Sequence, residues 1–222
     1  MNTKKTEYLP VGTQNATKIM LENNQEVEVV SEYTYLGVKF DSSGSDNREI
    51  RHKINQAKKI IGCLNSIFWN TFIGKKRKYS IYNTMIKSNL LYGAETWRIT
   101  EENKRRLETV EMDVLRRSLG VSRLQKIRNE EIRRLMGVDG TLYEDIEAKQ
   151  LIWYGHLQRM DEQGLPKKVF EWVPAQRRKR GRPKQTWNEG VIKAMSSRDL
   201  RQGQWNDRKG WRKGIGQRRT TL

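Results

Sequence analysis

One cysteine, Cys63, and two histidines, His52 and His156, are all the chain holds of those residue types. A single thiol cannot close a disulfide within the chain, which fits a reducing compartment. One Cys and two His fall short of a closed four-ligand zinc set, and their spacing fits no metal motif. His156 has no nucleophile or carboxylate pair beside it in sequence, so a packing histidine is expected rather than a catalyst. Long apolar runs are also missing. None approaches the ~20 residues of a membrane span, and the polar opening MNTKKTEYLP has no signal-peptide core. An intracellular protein without a membrane partner is expected, with the nucleus as its first location and the cytoplasm as the alternative.

The most uneven deficit is in negative charge. Residues 51–100 hold 10 Lys/Arg against Glu95 alone. Residues 101–150 are balanced at 11 against 11, and residues 151–222 are again basic. The whole chain reaches a formal charge of +18, which suits a nucleic acid or another polyanion as partner without naming it. Two separate basic surfaces are implied, with a neutral stretch between them.

Taken in order, the first forty residues read as strand and turn. Residues 27–30 (VEVV) and 33–40 (YTYLGVKF) are β-branched and aromatic, and Asn23-Asn24 offers a turn inside a hairpin from Lys18 to about Val30. From Asp46 the period becomes helical. Asp46 and Glu49 read as a capping box, and Ile50, Ile54, Ala57, Ile61, Leu64 and Phe68 share one face. The other face carries Arg51, Lys53, Lys58 and Lys59. A second helix opens on Lys75, Lys76, Arg77 and Lys78, with Tyr79, Tyr82, Met85, Ile86 and Leu90 as its apolar stripe. Cations at a helix start oppose the macrodipole, so these four read as phosphate contacts, with plain solubilisation as the alternative.

Further on, Thr100 caps a helix that Gly120 ends, Asn129 caps a short helix through Met136, and Thr141 with Glu144 forms a capping box for a helix to about Met160. Ile146, Trp153, Leu157 and Met160 should face inward. Trp153 and Tyr154 read as core rather than base-stacking platforms. One short helix is expected near 186–195. Trp205 and Trp211 lie among cations and glycines, which suits either stacking on bases or docking on the body.

Residues 176–187 (QRRKRGRPKQTW) concentrate Arg177, Arg178, Lys179, Arg180, Arg182 and Lys184 around Gly181 and Pro183. A helix does not run through that Gly and Pro without loss. The Arg180-Gly181-Arg182-Pro183 core resembles an AT-hook, in which two Arg flank a Gly in the DNA minor groove. A nuclear-localisation signal or solvated charge remains open beside it.

Five motifs in order, YTYLGVKF (33–40), LLYGAETW (90–97), RLETVEMDVLRRSLGVSRLQKIRN (106–129), LIWYGHLQRM (151–160) and RKRGRPKQTW (178–187), resemble the carboxy-terminal part of the reverse transcriptase polyprotein of a non-LTR (LINE-like) retrotransposon. The resemblance implies a primer-grip-like hairpin at Tyr35, Leu36 and Gly37, then thumb helices that hold a template–primer duplex. Such polymerases place two Mg²⁺ ions on a palm Asp-Asp pair. No Asp-Asp dipeptide occurs here, and the opening residues resemble the segment just after that pair. The chain alone is therefore expected to bind RNA, DNA or their hybrid without polymerising, and to need no cofactor, Mg²⁺ belonging to the full-length enzyme.

The expected fold is mainly α. A small β hairpin or sheet, the palm-edge remnant, spans 1–44 and packs on thumb-like helices over 45–120. A helical connector spans 121–163, and a basic, partly disordered region spans 164–222. A stand-alone nuclear DNA-binding protein using the Arg-Gly-Arg-Pro arm is the rival reading. Tyr33, Tyr35, Leu36 and Phe40 are expected to leave an exposed apolar face, open to self-association or to a full-length polymerase.

Overall fold

The β-branched and aromatic residues between 28 and 41 form strands, but short ones. In the computed structural model, which describes residues 6–12, 18–21, 25–172 and 186–217, β1 (Glu7–Tyr8) pairs in parallel with β2 (Glu28–Val29). A bridge joins Met20 and Glu26, while the expected turn at Asn23-Asn24 lies outside the described residues. The segment 33–40, read from its residue types as strand, is a hairpin of β3 (Glu32–Tyr35) and β4 (Val38–Asp41) that turns at Leu36 and Gly37. Leu36 and Gly37 have φ of 50° and 77°. Two successive positive φ values make a type I′ turn, whose twist matches a tight hairpin.

The chain divides into two compact units, Met1–Leu90 and Leu91–Leu222. That division falls inside the 45–120 stretch. The first unit continues with α1 (Asn47–Cys63), where Ile50, Ile54, Ala57 and Ile61 are buried at the spacing the sequence predicts. The capping box at its start does not form. Asp46 makes no side-chain cap, and the reciprocal half is lost because buried Glu49 is drawn to the hairpin: its carboxylate accepts from the Lys39 backbone N–H at 2.7 Å. After α2 (Asn65–Trp69), which buries Phe68, α3 (Lys75–Ile81) runs through a π-helical turn (Tyr82–Lys87) into α4 (Ser88–Leu90). The wider turn brings Tyr82, Ile86 and Leu90 inward at a four-residue repeat and leaves Met85 exposed, contrary to the expected stripe. α1 packs on β4, the π-turn and α4.

The second unit is helical among its described residues. A left-handed Gly93 leads into a 3₁₀ turn (Ala94–Thr96). In α5 (Glu101–Leu119), Thr100 accepts from the Asn103 N–H and Gly120 closes the C-terminus in the left-handed region, both as expected. α6 (Asn129–Met136) starts one residue earlier than expected, with Arg128 rather than Asn129 at the cap position. α7 (Leu142–Gln158) has the Thr141–Glu144 capping box, and α8 (Leu165–Glu171) follows it. In α9 (Trp187–Ser196) a second such box, Thr186–Glu189, holds the start, and α10 (Arg208–Gly216) is the last element described.

Leu151, Tyr154, Val191, Ala194, Met195, Leu200, Trp211 and Ile215 form one buried cluster, with Phe170, Trp187 and Trp205 against it. Of the two readings of Trp205 and Trp211, docking on the body is what the structure adopts. The Trp211 indole N–H donates to the Leu151 carbonyl at 3.0 Å. Gly155 allows that approach, since a Cβ there would overlap the indole. Three stretches distant in sequence meet here: Gln150 donates to the Trp97 carbonyl at 2.7 Å, and the Trp187 indole to the Glu95 carbonyl at 2.9 Å. Leu157 and Ile146 are buried as expected, while Trp153 and Met160 are only half-buried. His156 is exposed beside the Trp153 ring, at 5.5 Å between centroids, and so is not the packing histidine expected. Its position in α7 turns it away from the face that Tyr154 and Leu151 bury.

Candidate nucleic-acid interface

A helix that buries every third or fourth residue must expose the rest, and in α1 the exposed remainder is cationic. Arg51 and Lys58 lie seven residues apart, two turns along one stripe, and Lys59 lies beside Lys58. All three are exposed, and among the described residues none forms an ion pair. Lys53 does not belong with them. It is buried, 3.6 Å from the Glu49 carboxylate, and its ammonium donates to the Gly37 carbonyl at 3.0 Å. Position 53 faces the hairpin, and the Glu49–Lys53 pair ties α1 to the turn between β3 and β4.

The start of α3 divides in the same way. Lys75, Lys76 and Arg77 are exposed, and Lys76 and Arg77 form no ion pair among the described residues. Gly74 stands at the cap position in extended conformation, and no acidic side chain occupies the first turn. Lys78 is buried instead, and burial pushes its ammonium pKa down. It leaves the row of surface cations because it falls on the inward side of α3. The structure thus keeps Arg51, Lys58, Lys59, Lys75, Lys76 and Arg77 of the expected contacts at the surface of the first unit and withdraws Lys53 and Lys78.

Between α2 and α3, Phe72 is 97% exposed and Trp69 43%. The sequence reading passed over this pair. The signal was present in the run from Trp69 to Arg77, where two aromatics precede three cations within nine residues. Aromatic faces beside cations suit base stacking next to phosphate neutralisation.

At the hairpin tip, Tyr35 and Leu36 are exposed, as are Tyr33 and Phe40. Leu36 holds a left-handed φ uncommon for a residue with a branched side chain. Electrostatics fix the base of this hairpin. The Ser43 hydroxyl and N–H, and then Arg48, hold the Asp41 carboxyl below its usual pKa, with Arg48 Nε at 2.6 Å. Lys39 and then Arg48 do the same for Glu32.

Arg177, Arg178, Lys179, Arg180, Arg182 and Lys184 lie outside the described residues. Among the described residues no group of three or more His, Cys, Asp and Glu could hold a metal ion, and no helix is long and apolar enough to cross a membrane.

Comparison of the chain with protein-family models, with curated proteins and with solved structures finds no match. The basic surface of the first unit is therefore read from its own chemistry.

Proposed function

We propose that the protein binds nucleic acid through the phosphate backbone, holding a template–primer or target duplex without polymerising it. One observation carries this reading. No carboxylate lies between Glu49 and Glu95, and over that stretch Arg51, Lys58, Lys59, Lys76 and Arg77 are exposed and without ion-pair partners among the described residues. Phe72 and Trp69 beside the α3 cations add stacking surface. The resemblance of five ordered motifs to the carboxy-terminal part of a non-LTR retrotransposon reverse transcriptase supports a duplex held near a primer end. It also supports a nuclear location and association with a full-length polymerase. The exposed Tyr33, Tyr35, Leu36 and Phe40 offer a surface for that association or for self-association.

The test is binding to a primed RNA–DNA duplex across a salt series. Affinity should fall steeply with salt, because each neutralised phosphate releases counterions. Lys76→Ser with Arg77→Ser should reduce the slope of log K against log salt by about 2 and weaken all sequences alike. A flat salt profile, or a double variant that binds as wild type, would sink the reading. Arg180→Ala with Arg182→Ala separates the basic arm from this surface: if that variant alone abolishes binding, the arm carries the function. Primer extension with Mg²⁺ and deoxynucleotides should yield no product.

A further inference from the structure

The second unit contains a basic cleft that none of the readings above uses. Its volume is about 440 Å³, and it lies between α5 and the loop leading to α6. Its floor is one stripe of α5: Arg105, Thr109, Met112 and Arg116 recur at intervals of four, three and four residues. Its opposite wall is Arg123, Lys126 and Ile127 from the loop.

The local sequence explains why the loop folds back. Gly120 ends α5 in the left-handed region, and the Val121 N–H donates to the Arg116 carbonyl at 2.9 Å. A 3₁₀ turn over Arg123–Gln125 follows, held by the Ser122–Gln125 capping box, and Lys126 then takes a left-handed φ of 52°. The Arg116 guanidinium pins the returning strand, donating to the Ile127 carbonyl at 3.0 Å and to Asn129 Oδ1 at 2.8 Å. Arg116 is therefore a preoriented donor rather than a waving side chain.

The charge balance of the cleft is one-sided. Glu108 is the one carboxylate in its lining, and it is already engaged, by the Arg133 guanidinium at 3.1 Å and the Asn129 amide at 3.2 Å. Arg105, Arg123 and Lys126 form no ion pair among the described residues. Elsewhere in the unit Arg106, Arg117, Arg133, Arg134 and Arg198 each meet a carboxylate. The spacing favours an extended ligand. Arg105 and Arg116 are eleven residues apart, about 16 Å along the helix axis, too far for one phosphate to sit squarely on both. Between them half-buried Ile127 presents apolar surface, which a base or sugar can cover, with buried Met112 beneath.

We propose that this cleft binds a linear strand of linked phosphates, with Arg105 and Arg116 along one side and Arg123 and Lys126 along the other. A single-stranded nucleic acid and a chain of inorganic polyphosphate share that chemistry. The site shares no residue with the cationic surface of the first unit, and it stands or falls independently of the duplex reading.

The experiment measures binding of a labelled oligo-dT strand and of inorganic polyphosphate to the full chain. The proteins compared are wild type, Arg105→Ser/Arg123→Ser, and Lys76→Ser/Arg77→Ser. The cleft variant should lose about tenfold or more in affinity for the strand, since it removes two charge-assisted contacts, while the first-unit variant keeps this share of the binding. Competition by polyphosphate against oligo-dT at this site assigns recognition to the phosphates alone. Binding of oligo-dT without such competition assigns it to a nucleic-acid strand, with Ile127 as a further contact. Circular dichroism and the thermal midpoint establish that the cleft variant is folded, and Arg105→Lys should restore binding in part. Equal affinity of the folded cleft variant and wild type for both probes would overturn the proposal, as would the absence of saturable binding by either. Loss of primed-duplex binding in the first-unit variant alone would leave it intact.

Discussion

The two units differ in how much of their positive charge is met by carboxylates. In the first, a basic stretch without a carboxylate from residue 50 to residue 94 leaves most of its cations in water. In the second, acids and bases are equal in number between 101 and 150, and Arg106, Arg117, Arg133 and Arg134 each meet a carboxylate, unlike the cations that line the cleft. Arg133 reaches Glu111 at 2.9 Å and so clamps α6 to α5. Arg198, 6% exposed, reaches Glu147 at 2.9 Å and also donates to the carbonyls of Ile215 and Ala194, joining α7, α9 and α10. An arginine enclosed in this way is an architectural part. One on α1 is available to a ligand. The same residue type therefore has two meanings, and the local supply of carboxylates decides which applies.

The sharpest way to break this comparison is to unpair a buried cation. Glu147→Ala leaves Arg198 buried without its carboxylate and should cost the second unit about 3–5 kcal/mol, read as a lowered urea midpoint. Arg51→Ser on the exposed face of α1 should stay within about 0.5 kcal/mol of wild type. If both cost the same, the distinction between structural and available arginines fails.

Next in size is Gly155→Ala. Alanine would gain about 1 kcal/mol of helix propensity, but its methyl would meet the Trp211 indole, and overpacking costs about 1–3 kcal/mol. The net effect should be destabilising, with a red-shifted tryptophan emission as α10 loosens. A stabilised variant with unchanged emission would mean that the indole moves aside freely.

A smaller effect should carry the opposite sign. Lys76→Ser/Arg77→Ser removes cations from the unfavourable end of α3 and should raise stability by about 0.3–1 kcal/mol per charge while it weakens nucleic-acid binding. Stability and binding falling together would instead make these cations structural.

The smallest effect is set by pH. Because the Asp41 carboxyl is held below its ordinary pKa, it contributes stability that is complete above the unfolded-state value and is lost as pH falls through the lower, folded value. Acid should therefore loosen the hairpin and α1, and Asp41→Asn should flatten the dependence. A midpoint in wild type that does not change on acidification would contradict this.

Much of the fold was legible because helical periodicity and capping residues are local signals. Ile50, Ile54, Ala57 and Ile61, the Thr141–Glu144 box and the Gly120 stop were all readable from neighbours a few residues away. What escaped was long-range. Glu49 looked like a capping partner because Asp46 stands three residues before it, yet its carboxylate is claimed by Lys39 across the hairpin. Lys53 and Lys78 looked like surface cations because composition does not say which face of a helix a partner will cover. Lys53 was lost to the Gly37 carbonyl, sixteen residues upstream. The basic cleft was illegible for a related reason, since it exists only once the chain doubles back after Gly120.

The bond from Trp211 to Leu151 spans sixty residues, and that from Trp187 to Glu95 spans ninety-two. The first unit has every one of its residues once position 90 has left the ribosome, whereas the second must wait for α10 to complete its core. During synthesis at about 5–20 residues per second, the cationic face of α1 and α3 is thus presented for several seconds before Leu151 and Val191 are covered. Over that interval the nascent chain carries the basic stretch of the first unit ahead of a second unit whose apolar core is still unfinished.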